Sequence, residues 1–160
     1  MHIIESLIAA ARARDQSVVL PEGHDERVIR AARRLQDDGV AKAIILGNRA
    51  QLKQVARRAG TSLDGITTID PEQGERLDAY AQSCRRARPN LDLKVARRLM
   101  RKPLYYGAAM VRAGDADALI AGAANPTRRV IEAGLLAVGL AEGINTPSSF
   151  FLMVVPNFQG

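Results

Sequence analysis

Residues 18–48 constrain the fold more than any other part of the chain, because they contain a strand, a turn, a helix and a second strand in succession. The apolar run Val18–Leu20 predicts a short strand, and a Pro-Glu-Gly turn ends it. Residues 24–38 repeat apolar side chains at helical spacing, and residues 42–46 predict a second, buried strand. This βαβ unit predicts a parallel sheet. Parallel sheets bind ligands at the carboxyl ends of their strands, so the polar cluster at residues 22–27 is expected at such an edge.

The rest of the chain continues the alternation of strand and helix. Further strands are predicted at 66–69, 117–121 and 150–155, and helices at 3–14, 49–59, 72–88, 92–101, 103–113 and 127–141. Helix boundaries are indicated by Asn48 and Asp92 at helix starts, Pro103 at a first position and Gly114 at an end. We expect residues 1–160 to form one α/β domain, a layered parallel sheet with the N-terminal helix and the later helices covering both faces.

Composition narrows the classes of partner. The formal net charge is +6, but the arginines are scattered over several predicted helices and aromatic residues are only 4%. This argues against nucleic acid and favours a solvated surface or a site for small anions. The N-terminus lacks the basic leader of a signal peptide, and no segment is long enough to span a membrane. Cys84 is the single cysteine, which excludes an intramolecular disulfide. We therefore expect a cytoplasmic protein without a membrane partner.

Three blocks of sequence carry a resemblance to a known family. They are LPEGHDERVIRAARRLQDDGVAKAIILG, PLYYGAAMVRAGDADALIAGAANPT and SSFFLMVVP. In this order they resemble the N-terminal half of phosphate acetyltransferase (phosphotransacetylase). The phosphate butyryltransferases, and a phosphotransacetylase-like domain fused to some malic enzymes, share much of the pattern. Because an apolar run ends five residues before Gly160, the chain is expected to be the N-terminal part of a longer, two-domain transferase.

The resemblance implies a function and a fold. Members of this family transfer an acetyl group between coenzyme A and inorganic phosphate, and they work as homodimers. Their two α/β domains are like those of isocitrate dehydrogenase, with the active site in the cleft between them. They use no metal or redox cofactor, since coenzyme A enters as a substrate whose thiolate attacks acetyl phosphate. The carboxylate base and the serine that assist this step lie in the C-terminal half, so no catalytic residue is assigned in these 160 residues.

Two arginines are candidate substrate-binding residues. Arg27 matches the arginine of the family's LPE-x-x-D-x-R motif and lies in the first turn of a predicted helix, where anions are attracted. The alternative for Arg27 is an exposed arginine paired with Glu22 or Asp25. Arg86 matches, by its spacing to Leu93, the arginine on the family's long helix. Without the resemblance, Arg86 would be interpreted as part of a solvated surface.

The turn GAANPT is the third candidate, and it departs from the family pattern. Its small residues and the following helix start predict a cradle for phosphate, with Thr127 able to cap the helix. The family carries an arginine one turn further in, where this chain has Glu132. Arg128 and Arg129, which precede Glu132 by four and three residues, are candidates to supply the missing guanidinium. Otherwise the substrate has changed or the activity is lost.

Two main functional hypotheses remain open at this point. One is an acyltransferase, acetyl or butyryl. The other is a non-catalytic acyl-CoA or phosphate binding module acting as a sensor, which Glu132 favours. A dinucleotide-binding oxidoreductase is disfavoured, because the first strand is not followed by G-x-G-x-x-G. Single residues add little: Asp115 and Asp117 are interpreted as turn and strand-start residues, His24 as a surface residue and Cys84 as a buried apolar one.

Overall fold

The computed structural model describes residues 3–155. Its helices are α1 (Ile3–Arg12), α2 (Glu26–Asp37), α3 (Arg49–Arg58), α4 (Leu77–Ala87), α5 (Leu93–Met100), α6 (Pro103–Ala113) and α7 (Thr127–Ala133), the last continued by a π-helical turn at Gly134–Val138. The strands are β1 (Ser17–Leu20), β2 (Lys42–Leu46), β3 (Thr67–Ile69) and β4 (Ala118–Leu119).

The four strands form one parallel sheet in the order β3-β2-β1-β4. Val19 pairs with Ile44 on one side and with Leu119 on the other, so β1 lies in the middle of the sheet. The predicted βαβ unit and the parallel sheet are therefore confirmed. The chain moves from β1 outward through β2 to β3 and then returns to the opposite side of β1. The strand order therefore reverses between β1 and β4.

Helices cover both faces of the sheet. Alternate strand residues point to opposite faces, so β1 and β2 each contribute side chains to two separate clusters. Val19, Ile44 and Leu46 belong to one cluster of buried side chains, which α4, α5 and α6 complete. Leu20, Ala43 and Ile45 belong to a second cluster, completed by α2 and α3. The layered α/β fold is confirmed, except that α1 buries none of its residues and contributes to neither cluster.

Several helix boundaries agree with the local sequence signals. The side chains of Asn48 and Asp92 accept hydrogen bonds from backbone N–H groups in the first turns of α3 and α5. Pro103 occupies the first turn of α6, and Gly114 ends that helix in the left-handed conformation with φ of 77°. These helices begin and end where capping chemistry places them.

Two helix boundaries and one strand differ most from the prediction, and the predicted strand 117–121 is shortened to Ala118–Leu119. The predicted helix 72–88 begins only at Leu77, because residues 70–76 form turns. The predicted helix 127–141 leaves α-helical geometry after Ala133. The predicted strand 150–155 is wrong: no described segment pairs with it, and the exposed fractions of Phe150 and Phe151 are 89% and 96%. A strand without a neighbour leaves its backbone groups unpaired, so an apolar composition alone does not form one.

Candidate functional site

The candidate site lies where the strand order reverses, between the carboxyl ends of β1 and β4. Pro21–His24 follow β1, and residues 120–126, here called the β4–α7 loop, follow β4. In open parallel sheets this position is where ligands bind. Here the side chain of Glu22 reaches across it to the β4–α7 loop.

The carboxylate of Glu22 fills the concave side of the β4–α7 loop. Its Oε2 accepts hydrogen bonds from the backbone N–H groups of Gly122 (2.9 Å) and Ala123 (2.8 Å). Its Oε1 accepts them from the backbone of Ala124 (2.9 Å) and from both the backbone (2.6 Å) and the side-chain amide (2.8 Å) of Asn125. Glu22 is only 1% exposed and is the single buried charged side chain among residues 3–155.

Two opposing effects set the ionisation of Glu22. Burial by itself raises the pKa of the carboxyl, but the hydrogen bonds donated by Ala124, Asn125 and Ala123 together outweigh it, so the pKa of Glu22 lies below its ordinary value. The carboxylate is therefore ionised at neutral pH. Its five donors exceed the roughly four lone-pair positions that a carboxylate offers, so Glu22 needs no further ligand.

This arrangement corrects the prediction for the GAANPT turn. The N–H groups expected to cradle phosphate are donated to Glu22 instead. The prediction that Thr127 caps its helix is also wrong: Pro126 occupies the cap position, and no side chain accepts a hydrogen bond there. Thr127 itself is exposed at the start of α7.

Arg27 lies beside the same loop and contacts it directly. Its Nε and Nη2 bind the two carboxylate oxygens of Asp25 at 3.0 and 2.6 Å, and Nη2 also donates to the carbonyl of Ala123 at 2.6 Å. Of the two alternatives for an ordinary ion pair, the structure selects Asp25, which also caps α2. The side-chain hydrogen bonds from Arg27 hold the pKa of Asp25 at about 2. The Arg27 side chain nevertheless stays 67% exposed.

Arg128 and Glu132 form an ion pair across one turn of α7. The distance from Arg128 Nε to Glu132 Oε1 is 2.9 Å, and both side chains are exposed. Such exposed pairs contribute little stability, but this pair engages the guanidinium that was predicted to stand in for the family arginine. Arg129 is exposed and forms no ion pair with the described residues.

Arg86 lies apart from the other candidates, near the end of α4. It lines a surface depression of about 390 Å³ with Gln82, Arg85, Pro89 and Leu93. No described hydrogen bond or ion pair joins Arg86 to Arg27 or to α7. The structure thus brings Arg27 and the β4–α7 loop together and places Arg86 in a second location.

Asp115 and Asp117, the two carboxylates of the GDAD turn, have structural partners. Asp117 accepts hydrogen bonds from the backbone N–H (2.7 Å) and hydroxyl (2.8 Å) of Ser17, which tie the starts of β1 and β4 and lower the pKa of Asp117. Asp115 accepts the hydroxyl of Tyr80 and the guanidinium of Arg76, both at 2.5 Å. Burial, followed by the hydrogen bond to Asp115, raises the pKa of Tyr80. The predicted strand-start role of Asp117 is confirmed.

Cys84 and His24 also have clear surroundings. Cys84 is buried, as predicted, and burial raises the pKa of its thiol. His24 is exposed and lines a cleft of about 300 Å³ together with Arg101. Among residues 3–155 no group of three or more His, Cys, Asp and Glu side chains is arranged to hold a metal ion. None of the helices in this part of the chain is long and apolar enough to cross a membrane.

The role of Glu22 is not predicted from the sequence. The sequence places Glu22 at the sheet edge only as a possible partner for Arg27. The signal that could have identified it is a carboxylate directly after a buried strand, together with a run of small residues, Gly122–Ala124, after another. Small residues allow the close approach of backbone to a charged group.

Comparison with known proteins identifies the family. The family model described as phosphate acetyl/butaryl transferase matches residues 2–159. The phosphate acetyltransferase of Acetivibrio thermocellus is 36% identical over 161 residues, which cover 99% of this chain and 48% of that protein. The phosphate acetyltransferase of Thermoanaerobacterium thermosaccharolyticum is 34% identical, with the same two coverages of 99% and 48%.

Solved structures agree with the sequence relatives. EutD phosphotransacetylase from Staphylococcus aureus superposes with a TM-score of 0.83 at 28% identity, covering 90% of this chain and 44% of that one. A phosphotransacetylase from Streptococcus pyogenes gives a TM-score of 0.80 at 28% identity, covering 89% and 45%. The chain spans about half the length of the curated relatives it matches. In sequence and in fold, the chain belongs to the phosphate acetyl/butaryl transferase family.

Proposed function

We propose that this chain is the N-terminal part of an enzyme that transfers an acetyl group between coenzyme A and inorganic phosphate. The observation that carries the proposal is the family match over residues 2–159, joined to a superposition on a phosphotransacetylase that covers 90% of the chain. Phosphate butyryltransferase is the variant within the same family. No metal or redox cofactor enters the proposal, and coenzyme A is a substrate.

In this proposal the described residues bind substrate and supply no catalytic base. Asp25 and the Ala123 carbonyl hold Arg27 through Nε and Nη2, and its Nη1 has no hydrogen-bond partner among residues 3–155. That nitrogen is left to donate to a phosphate oxygen. Arg86 in its separate depression, and Thr127, Arg128 and Arg129 at the start of α7, are the further proposed contacts to anionic groups of the substrates.

A second candidate function is a non-catalytic module that binds acyl-CoA or phosphate. One observation favours it. Glu132, which stands where the family carries an arginine, engages Arg128 and leaves one guanidinium fewer for an anion.

Arsenate-dependent breakdown of acetyl-CoA separates the two candidates. Arsenate replaces phosphate as acetyl acceptor and the acetyl arsenate hydrolyses, so released thiol reports turnover. The 160-residue chain is expected to bind phosphate weakly without turnover, and a longer product of the same gene is expected to turn over. Arg27→Ala should then lower the rate sharply, because one phosphate-binding donor is lost. Arg57→Ala, on the exposed side of α3, is the matched control.

The outcomes of this assay distinguish a base within the 160-residue chain, a transferase that needs a longer chain, and a sensor. Turnover by the 160-residue chain would show that it holds a base absent from the present proposal. A longer form without turnover that still binds coenzyme A would favour the sensor, and Glu132→Arg would be the first change to test for recovery.

We further propose that the protein is a cytoplasmic homodimer. The support for association is a run of exposed apolar side chains at residues 150–155, among them Phe150, Phe151 and Met153. Contiguous exposed apolar surface of this kind marks interaction sites. Sedimentation should show a dimer or larger assembly, and a strict monomer at high protein concentration would contradict the proposal.

A further inference from the structure

We propose that Glu22 is a positioning residue that acts through Arg27. Its buried carboxylate sets the β4–α7 loop, and the loop's Ala123 carbonyl in turn fixes the guanidinium of Arg27. The part that concerns substrate rests on the proposed function above, whereas the coupling between the two side chains is a property of the folded chain alone.

First, the carboxylate of Glu22 fixes the conformation of the β4–α7 loop. Four consecutive N–H groups, Gly122 to Asn125, converge on one carboxylate that is 1% exposed. Charge-assisted hydrogen bonds are about twice as strong as neutral ones. Four backbone N–H groups of a loop without regular secondary structure thereby bind one side chain, which lies 100 residues from Gly122 in sequence.

The second step joins the loop to Arg27 through one residue. Ala123 donates its N–H to Glu22 at 2.8 Å and offers its carbonyl to Arg27 at 2.6 Å. The N–H of Ala124, which also binds Glu22, belongs to the same planar peptide unit as the Ala123 carbonyl. The direction of that carbonyl therefore follows from the hydrogen bond that Glu22 makes to Ala124.

The third step is the effect on the guanidinium. Arg27 has a long, exposed side chain, and Asp25 alone holds it along one edge. The Ala123 carbonyl provides the contact to a different part of the fold. Without it, Arg27 keeps its ion pair with Asp25 but loses its fixed relation to the carboxyl ends of β1 and β4.

The first experiment measures this coupling in the 160-residue chain without any substrate. Glu22→Gln keeps the volume of the side chain but replaces one acceptor oxygen by an amide that faces N–H groups. We expect amide hydrogen exchange of at least two of residues 122–125 to rise about tenfold or more, and the ¹⁵N order parameter of Arg27 Nε to fall. Glu26→Gln, which removes the charge of a neighbouring, partly exposed carboxylate that makes only 3.5 Å contacts, is the matched control.

A second variant keeps the test decisive if Glu22→Gln does not fold. Glu22→Ala leaves the N–H groups without a partner, and formate added as its sodium salt can occupy the position of the missing carboxylate. Formate, and not chloride at the same ionic strength, should restore the order of Arg27 Nε. An unchanged Arg27 order parameter in both variants, with the loop amides released, would overturn the coupling between Glu22 and Arg27.

The substrate arm is a double-mutant cycle with inorganic phosphate, titrated by amide chemical shifts. Glu22→Gln should weaken phosphate binding about fivefold to tenfold, and Arg27→Ala at least as much. The double variant should bind no more weakly than Arg27→Ala, because Glu22 acts only through Arg27. Additive losses would refute the inference. Absence of phosphate binding to the unaltered chain would count against the proposed anion site alone, since the exchange and order measurements decide on the coupling independently.

Discussion

Replacement of Gly23 by alanine should destabilise the fold strongly, although Gly23 adopts an ordinary negative φ. The residue follows Glu22 directly and is buried between the ends of β1 and β2. A Cβ atom added there would lie 2.7 Å from Cγ2 of Ile45, 2.7 Å from the carbonyl oxygen of Leu46, and closer still to Cδ2 of Leu52. The side chains can rotate away, but the carbonyl oxygen belongs to the last residue of a central strand.

The expected magnitude follows from that backbone contact. Overpacking a well-filled core costs about 1–3 kcal/mol, and relief here requires a shift of β2 or of the turn that carries Glu22. We therefore expect the upper part of that range, about 2–3 kcal/mol. For a chain of this size each kcal/mol lowers the melting temperature by roughly 2–4 °C, which gives a fall of about 4–12 °C.

Urea denaturation followed by far-ultraviolet circular dichroism measures the effect. The midpoint should fall while the slope m stays constant, as expected when only the native state is strained. Gly134→Ala is the matched control, because Gly134 has helical φ and ψ of −60° and −51° and an added Cβ meets nothing within 4 Å. That variant should be unchanged or stabilised by up to about 1 kcal/mol. A Gly23→Ala free energy of unfolding within about 0.5 kcal/mol of the unaltered chain would refute the reasoning.

Three further predictions test individual contacts. The pKa of Asp25 is about 2 in the folded chain, against an ordinary 3.8. The stabilisation that ionised Asp25 contributes is therefore present above pH 3.8 and is lost as the pH falls towards 2. In urea titrations, the difference in unfolding free energy between the unaltered chain and Asp25→Asn should shrink over that interval. Tyr80→Phe keeps the edge contact with Tyr106 but loses the hydrogen bond to Asp115, and should cost about 1–2 kcal/mol in the same assay; an equally stable variant would contradict it. Because Cys84 is buried and the pKa of its thiol is raised, a disulfide reagent should label it slowly in the folded chain and rapidly in urea, and equal rates would show that the thiol is accessible.

The parts of the fold that follow local rules could be predicted from the sequence. The βαβ unit was predictable because apolar spacing changes from the strand period to the helical period and back within residues 18–46. The starts of α3 and α5 were predictable because Asn48 and Asp92 satisfy backbone N–H groups two and three residues away. In each case the physical cause and its effect lie within one or two turns of chain.

Features that depend on distant partners could not be predicted in the same way. Residues 150–155 have the composition of a strand, but a strand also needs a neighbour, and no described segment supplies one. The GAANPT turn has the composition of an anion cradle, and it does bind an anion, yet the anion is Glu22. Which strand lies beside β1, and therefore which loop meets Glu22, is a property of the sheet order rather than of either loop.

The same contact changes the electrostatic interpretation of Arg27. From the sequence, Glu22 and Asp25 are two carboxylates competing for one guanidinium. In the structure the charge of Glu22 is balanced by backbone N–H dipoles, and only Asp25 pairs with Arg27. The guanidinium of Arg27 therefore pairs with one carboxylate rather than two, and its Nη1 has no hydrogen-bond partner among residues 3–155. Arg129, and Arg86 in its separate depression, have no ion pair within residues 3–155, whereas Arg128 is paired to Glu132. Under the proposed function, one nitrogen of Arg27 gives only weak binding of phosphate, and we expect tight binding to need further cationic or N–H groups beside it.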